Sequence, residues 1–230
     1  MTAPWLNRML ALCGMGHSMT RAPAPDTPLN GMRMVVVDVE TTGLNLRKDS
    51  VISIGAVAVV NGRLKLSESF DQTLQVDVSL SKDNVLIHGI TPSDVSHGRP
   101  AREVMQAFLD YLDGAPLIAF HALFDKKMLE KAVRTHLDER CQLAAYDLAE
   151  WLPAFFPEHT ECRRMGLDDW IERLNIPVNQ RHNAIEDAMA TAQLLQKCLA
   201  RARQQGLSTW GELMQVVKTS RRKQTATHHL

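Results

Sequence analysis

Met34-Val35-Val36-Val37-Asp38-Val39-Glu40-Thr41-Thr42-Gly43 decides the fold of this chain. The β-branched run from Met34 reads as a strand buried on both faces, as in a sheet covered by helices. It closes on two carboxylates. Side chains alternate along a strand, so Asp38 and Glu40 project from one face. Two adjacent anions at the end of a buried strand repel each other and cost desolvation unless a positive charge lies between them. A divalent cation meets that need, and clustered oxygen donors favour magnesium or manganese. Taken alone, the pair reads first as a plain strand end at the surface, and only its surroundings favour the metal. Thr41, Thr42, Gly43 and Leu44 then form a small turn whose amides can approach a phosphate or sugar; an ordinary strand-to-loop turn is the alternative.

Outward from this strand, Val51–Val60 reads as a second strand with Gly55 inside it. Asn61-Gly62 is a hairpin turn into a third, Arg63–Phe70. Pro100 and Gly114 bracket a helix with Val104, Phe108, Tyr111 and Leu112 facing inward. Leu117–Phe120 is predicted as a strand, Leu123–His136 as a helix, Gln142–Tyr146 as the last strand, and mainly helix follows. An antiparallel meander followed by alternating helix and strand is an α/β pattern with a mixed five-stranded sheet flanked by helices.

At 230 residues, 45% hydrophobic and 23% charged, the chain suits one soluble globular domain rather than a disordered, fibrous or coiled-coil protein. No apolar stretch is long enough to span a bilayer, so no membrane partner is expected, and the scattered cysteines suggest a cytoplasmic protein. Cys13, Cys141, Cys162 and Cys198 lie far apart and suggest reduced thiols; His159 and Cys162 lack the second pair a zinc site needs. Residues 1–30 read as an N-terminal extension, with a short amphipathic stretch from Trp5 and a proline-rich linker from Arg21. Residues 31–205 form the main domain. Residues 206–230 carry a short helix around Trp210–Val217 and a basic tail. The net charge is zero, yet residues 199–230 hold six Lys/Arg against one acid. That argues against a protein that simply coats nucleic acid, while leaving room for phosphate contacts from the tail.

Two further acids stand where packing alone does not call for them. Asp125 opens the helix whose Met128, Leu129 and Ala132 share its face. Asp187 lies in the second turn of a helix that Asn183 caps, with Glu186 completing a capping-box spacing, among Ala184, Ala188 and Thr191.

Asp38-Val-Glu-Thr-Thr-Gly, then Phe124-Asp125, then His182 with Asp187 five residues on, resemble the three motifs of the DEDDh 3′–5′ exonucleases. These are relatives of the proofreading epsilon subunit of bacterial DNA polymerase III. Ile87-His88-Gly89-Ile90-Thr91 and the run Arg181–Ala192 add to the resemblance, which covers about residues 33–200. It implies a ribonuclease-H-like fold and release of nucleoside 5′-monophosphates from the 3′ end of single-stranded or frayed DNA, as in proofreading or repair. Two Mg²⁺ (or Mn²⁺) ions would be held by Asp38, Glu40, Asp125 and Asp187, with His182 as general base; Thr41, Thr42, Gly43, Leu44 and His121 would meet the substrate. A polymerase is a candidate partner. Where the family has histidine and asparagine before its second aspartate, this chain has Phe120 and His121. The segment Lys218–Leu230 shows no hydrophobic clamp-binding motif, which speaks against a dedicated replisome role. The same resemblance admits an RNA-trimming exoribonuclease, and from another class a catalytically silent nucleic-acid-binding scaffold. The filled acidic set favours the enzyme.

Overall fold

A computed structural model describes residues 20–162 and 165–227. The amphipathic stretch from Trp5, and Cys13, lie outside them. Strands β1 (Arg33–Thr41), β2 (Val51–Val60) and β3 (Arg63–Gln75) form the antiparallel meander. Asn61 and Gly62 both take positive φ (55° and 69°), as a two-residue turn matching the strand twist requires. β3 outruns the expected Phe70 end because Leu74, buried among polar neighbours, carries the ladder on.

Helices α1 (Lys82–His88) and α2 (Pro92–Ser96) lead to β4 (Arg99–Pro100), and α3 (Ala101–Leu112) follows. β5 (Leu117–Ala119), α4 (Leu123–Leu137) and β6 (Ala145–Asp147) complete the mixed sheet. Its order is β4-β3-β2-β1-β5-β6, six strands rather than five. The extra one is the two-residue β4, parallel to the end of β3. Pro100 has no N–H to give a ladder, so β4 can only be an edge, too short to read from sequence. β1 is parallel to β5, and β5 to β6.

The remaining helices are α5 (Leu148–Phe155), α6 (Leu167–Arg173), α7 (Ala184–Gln204) and α8 (Trp210–Thr227). The sheet separates two cores. Met34, Val36, Val57 and Val59 meet α5, α6, α7 and α8 on one side, including Trp151, Trp170 and Trp210. Val35, Val37 and Val39 meet α3 and α4 through Phe108, Met128 and Leu129 on the other. Each large side chain fully enclosed here is stabilised by about 1.5–3 kcal/mol.

α8 is longer than the expected short helix, and Lys218, Arg221, Arg222 and Lys223 sit on it rather than beyond it. Its Trp210, Leu213 and Val217 are buried in the first core. The proline-rich segment is docked there. Trp210 N–H donates to the Thr27 carbonyl (2.9 Å), Gly211 N–H to Pro25 (2.7 Å) and Leu29 N–H to Ser208 (2.8 Å). Cys198 is buried and Cys141 half-buried, both free thiols whose pKa burial pushes up, that of Cys141 to about 11. No helix among the described residues is long and apolar enough to cross a membrane.

Candidate active site

The two-residue period that puts Met34 and Val36 against α7 also turns Asp38 and Glu40 to that face. There the start of α7 crosses the sheet. Asn183 caps it, its Oδ1 accepting the Glu186 N–H at 3.3 Å, and one turn on Asp187 points back at the strand. Asp38, Glu40 and Asp187 bring carboxylate oxygens within 4.8 Å of one another. Among the described residues they are the one such grouping of potential metal ligands.

Gly55 sets how close they come. It pairs with Asp38 across β1 and β2, and a Cβ there would lie 2.2 Å from backbone atoms of Ala184 and Ile185. Only the absent side chain lets the helix start rest on the sheet.

Asp125, 5% exposed, reaches the same place from the start of α4. Its carboxylate accepts its own and the Val39 backbone N–H groups. It lies close enough to raise the pKa of Asp38, but stands outside the trio of near-contact oxygens. Burial, then Asp125 and Glu40, push Asp38 well above the usual carboxylate range, against the opposing pull of Arg181. Burial lifts Glu40 to about 7, again opposed by Arg181. Burial is also the chief reason Asp125 rises to about 7; the two backbone hydrogen bonds oppose it and Asp147 and Glu40 add to it. Burial chiefly, with repulsion between neighbouring acids at Asp38 and Asp125, disfavours the charged forms of these carboxylates.

Arg181 supplies what positive charge there is. Its guanidinium pairs with both Asp187 and Asp168. Sequence reading did not single it out, because a basic residue one turn before a helix carries no distinct spacing signal. His182 is held differently from a metal ligand. Its backbone lies at φ 59°, its N–H donates to Asp187 at 3.1 Å, and its side chain is exposed, outside the carboxylate group.

The turn after β1 is a built loop. Thr41 Oγ1 donates to the Gly43 carbonyl (2.8 Å) and Thr42 Oγ1 to Asp49 (3.0 Å). Asp49 also accepts the Asn45 N–H (2.7 Å), and Lys131 from α4 donates to the carbonyls of Arg47 (3.0 Å) and Asp49 (2.5 Å). Asn84 of α1 binds the Thr42 carbonyl. Leu44 stands 84% exposed on this frame, with Leu86 and Leu123 also exposed. Asp49 and Lys131 were not singled out in the sequence because a threonine hydroxyl and backbone atoms, their partners, leave no spacing signal. His121 takes φ 60°, donates its N–H to Asp147 (2.9 Å) and rests its ring edge on Phe120. Phe120 belongs to the core, and Phe124 packs beside the second core.

Residues 35–195 match the exonuclease family. The chain is 30% identical over 196 residues to a DNA polymerase III subunit epsilon-like protein of Rhodobacter capsulatus, covering 84% of this chain and 27% of that one. It is 30% identical over 185 residues to a PolC-type DNA polymerase III of Caldanaerobacter subterraneus, covering 80% of this chain and 13% of that one. The chain thus spans about a quarter or less of these relatives. Among solved structures, Escherichia coli exonuclease I with a dA16 oligonucleotide superposes at TM-score 0.63 and 15% identity, over 75% of this chain and 42% of that one. Exonuclease X with 5′-overhanging duplex DNA gives 0.58 and 17%, over 80% and 99%. At such identities the likeness speaks for the fold, which is the ribonuclease-H-like mixed sheet of these nucleases.

Proposed function

Since the chain belongs to the exonuclease family, we propose that it hydrolyses phosphodiester bonds one nucleotide at a time from the 3′ end of single-stranded or frayed DNA. The convergence of Asp38, Glu40 and Asp187 within 4.8 Å, with Asp125 alongside, carries this reading. Oxygen donors that raise one another's pKa fit hard divalent cations, Mg²⁺ or Mn²⁺. Asp38, Glu40 and Asp187 would hold one ion, and Asp38 with Asp125 a second. Divalent ions in such a site neutralise charge developing on the phosphate and acidify water.

The chain's own groups do the rest. His182, exposed to solvent and outside the carboxylate group, would take a proton from the attacking water as general base. Its backbone N–H meanwhile steadies Asp187. Thr41, Thr42 and Gly43 would receive the terminal nucleotide, and exposed Leu44 would lie against its base. His121 would border the substrate from the β5 side. Arg181, drawn to Asp187 before an ion arrives, would turn its charge to a substrate phosphate afterwards. That exonuclease I and exonuclease X were solved with DNA supports DNA over RNA.

The test is degradation of 5′-labelled single strands, DNA beside matching RNA, with Mg²⁺ or Mn²⁺. A ladder shortening from the 3′ end of DNA, abolished by chelator and by a blocked 3′ end, is expected. Attack from the 5′ end, or full activity in excess chelator, overturns the reading. Faster loss of RNA moves the substrate to RNA, and no turnover with intact binding makes the chain a scaffold.

A further inference from the structure

At the end of the sheet remote from the carboxylates, the β2–β3 hairpin, the last turns of α7 and the α7–α8 connection enclose a cleft of about 680 Å³. Arg63, Lys65 and Arg203 line it, with Asn30, Asn61 and Ser208 between them, and no carboxylate does. None of the three cations is in an ion pair with another described residue. The nearby acid, Glu212, is committed elsewhere. It accepts the N–H groups of Ser208 (2.8 Å) and Thr209 (3.0 Å) at the start of α8.

The cleft is held in shape. Gln196 of α7 donates to the Gly62 carbonyl at 2.8 Å, tying hairpin to helix. A Cβ on Gly62 would lie 2.9 Å from the Arg203 guanidinium, so the bare turn gives that group its place. Three like charges converging in a concavity, in a chain of zero net charge, call for an anion. Guanidinium forks beside amide side chains suit phosphate oxygens in number and geometry.

We propose that this cleft binds a phosphate group, supplied by the backbone of the strand being degraded. The strand as source rests on the exonuclease reading; phosphate binding itself does not. Arg203 follows Asp187 by sixteen residues on α7, or about 24 Å at 1.5 Å per residue. The cleft therefore lies beyond the reacting phosphate, by about seven stacked nucleotides at 3.4 Å each. It would grip long strands and leave short ones untouched.

The experiment compares the full chain with the triple variant Arg63→Gln, Lys65→Gln, Arg203→Gln, all exposed positions. Binding of 5′-fluorescein-labelled dT20 and dT4 is followed by anisotropy across a salt series in chelator, which prevents cleavage. For dT20, Kd should rise about tenfold and the log–log salt slope should fall by about 2, at about 0.7 per lost contact. For dT4, neither should change. Nucleoside monophosphate is titrated in parallel by calorimetry. Binding that the variant loses, with an unchanged dT20 slope, keeps the phosphate site and moves its source to free nucleotide. Unchanged binding of both probes, or a polyglutamate peptide that binds the wild type more tightly than either, overturns the proposal. Hydrolysis of a p-nitrophenyl thymidine ester, with Mn²⁺, reports on the carboxylate site separately. Its absence would count against the exonuclease reading alone.

Discussion

Gly55→Ala should damage catalysis from a position that touches no substrate. The new Cβ would stand 2.2 Å from the Ala184 carbonyl carbon and the Ile185 nitrogen, and 2.4 Å from the Ala184 oxygen. These are backbone atoms of the first turn of α7, so no side chain can swing aside. Reaching ordinary contact at 3.4 Å requires the helix start to lift by about 1.2 Å. Asp187 follows Ala184 by three residues and would rise with it, away from Asp38 and Glu40. Overpacking of this kind costs about 1–3 kcal/mol. In a domain of this size that is a Tm lower by roughly 2–12 °C. Displacing a ligand by about 1 Å costs on the order of 100-fold in rate. The assay is kcat on a 5′-labelled oligonucleotide at 20 °C, well below the variant's transition, beside thermal melting by circular dichroism and calorimetric Mn²⁺ binding. Slower turnover, weaker Mn²⁺ binding and a lower Tm are expected together. A wild-type rate at a lowered Tm would refute the link from Gly55 to Asp187, and a wild-type Tm would refute the close approach itself.

Other consequences can be checked singly. Asp38→Asn should remove at least nine-tenths of the activity while the metal-free protein melts no lower, since a repelled, desolvated carboxylate is lost; more than about a tenth of the rate remaining would refute the role given to Asp38. The folded-state pKa values of Glu40 and Asp125 are raised to about 7, so folding favours their protonated forms. The metal-free protein should therefore be more stable below about pH 4 and lose stability as pH rises through 7, with Mg²⁺ restoring it at the upper end; denaturant melts that strengthen across this window in chelator would contradict the cluster. Asp49→Ala removes two hydrogen bonds that shape the Thr42–Asp49 loop, each contributing about 0.5–1.5 kcal/mol. KM for single-stranded DNA should rise severalfold with kcat for a dinucleotide within about twofold, and an unchanged KM would mean the loop does not meet substrate.

What could be read along the chain was what is settled within a few residues. The alternation from Met34 to Glu40 says which side chains share a face, and the observed cores on the two sides of β1 follow it. The turn at Asn61-Gly62 and the helix between Pro100 and Gly114 are likewise local, set by backbone freedom at single positions. The length of α8 was misjudged because its turns beyond the buried Trp210, Leu213 and Val217 carry no apolar stripe to mark them, and Arg221 meets Glu150 of α5 only in the folded chain. β4 escaped notice for the same reason: two residues become a strand only when the end of β3 lies alongside.

The candidate site divides in the same way. Its acids were visible as residues out of keeping with their surroundings, at a strand end and in two helix starts. That three of them meet within 4.8 Å is a matter of approach between segments nearly 150 residues apart, and it turns on the missing side chain of Gly55. Arg181 against Asp187, Lys131 on the loop carbonyls and the basic cleft between hairpin and helix are tertiary in origin too. Periodicity and turn chemistry act over a few residues and are written in the chain. Charge pairing and close contact act through space, and exist only once packing has brought the partners together.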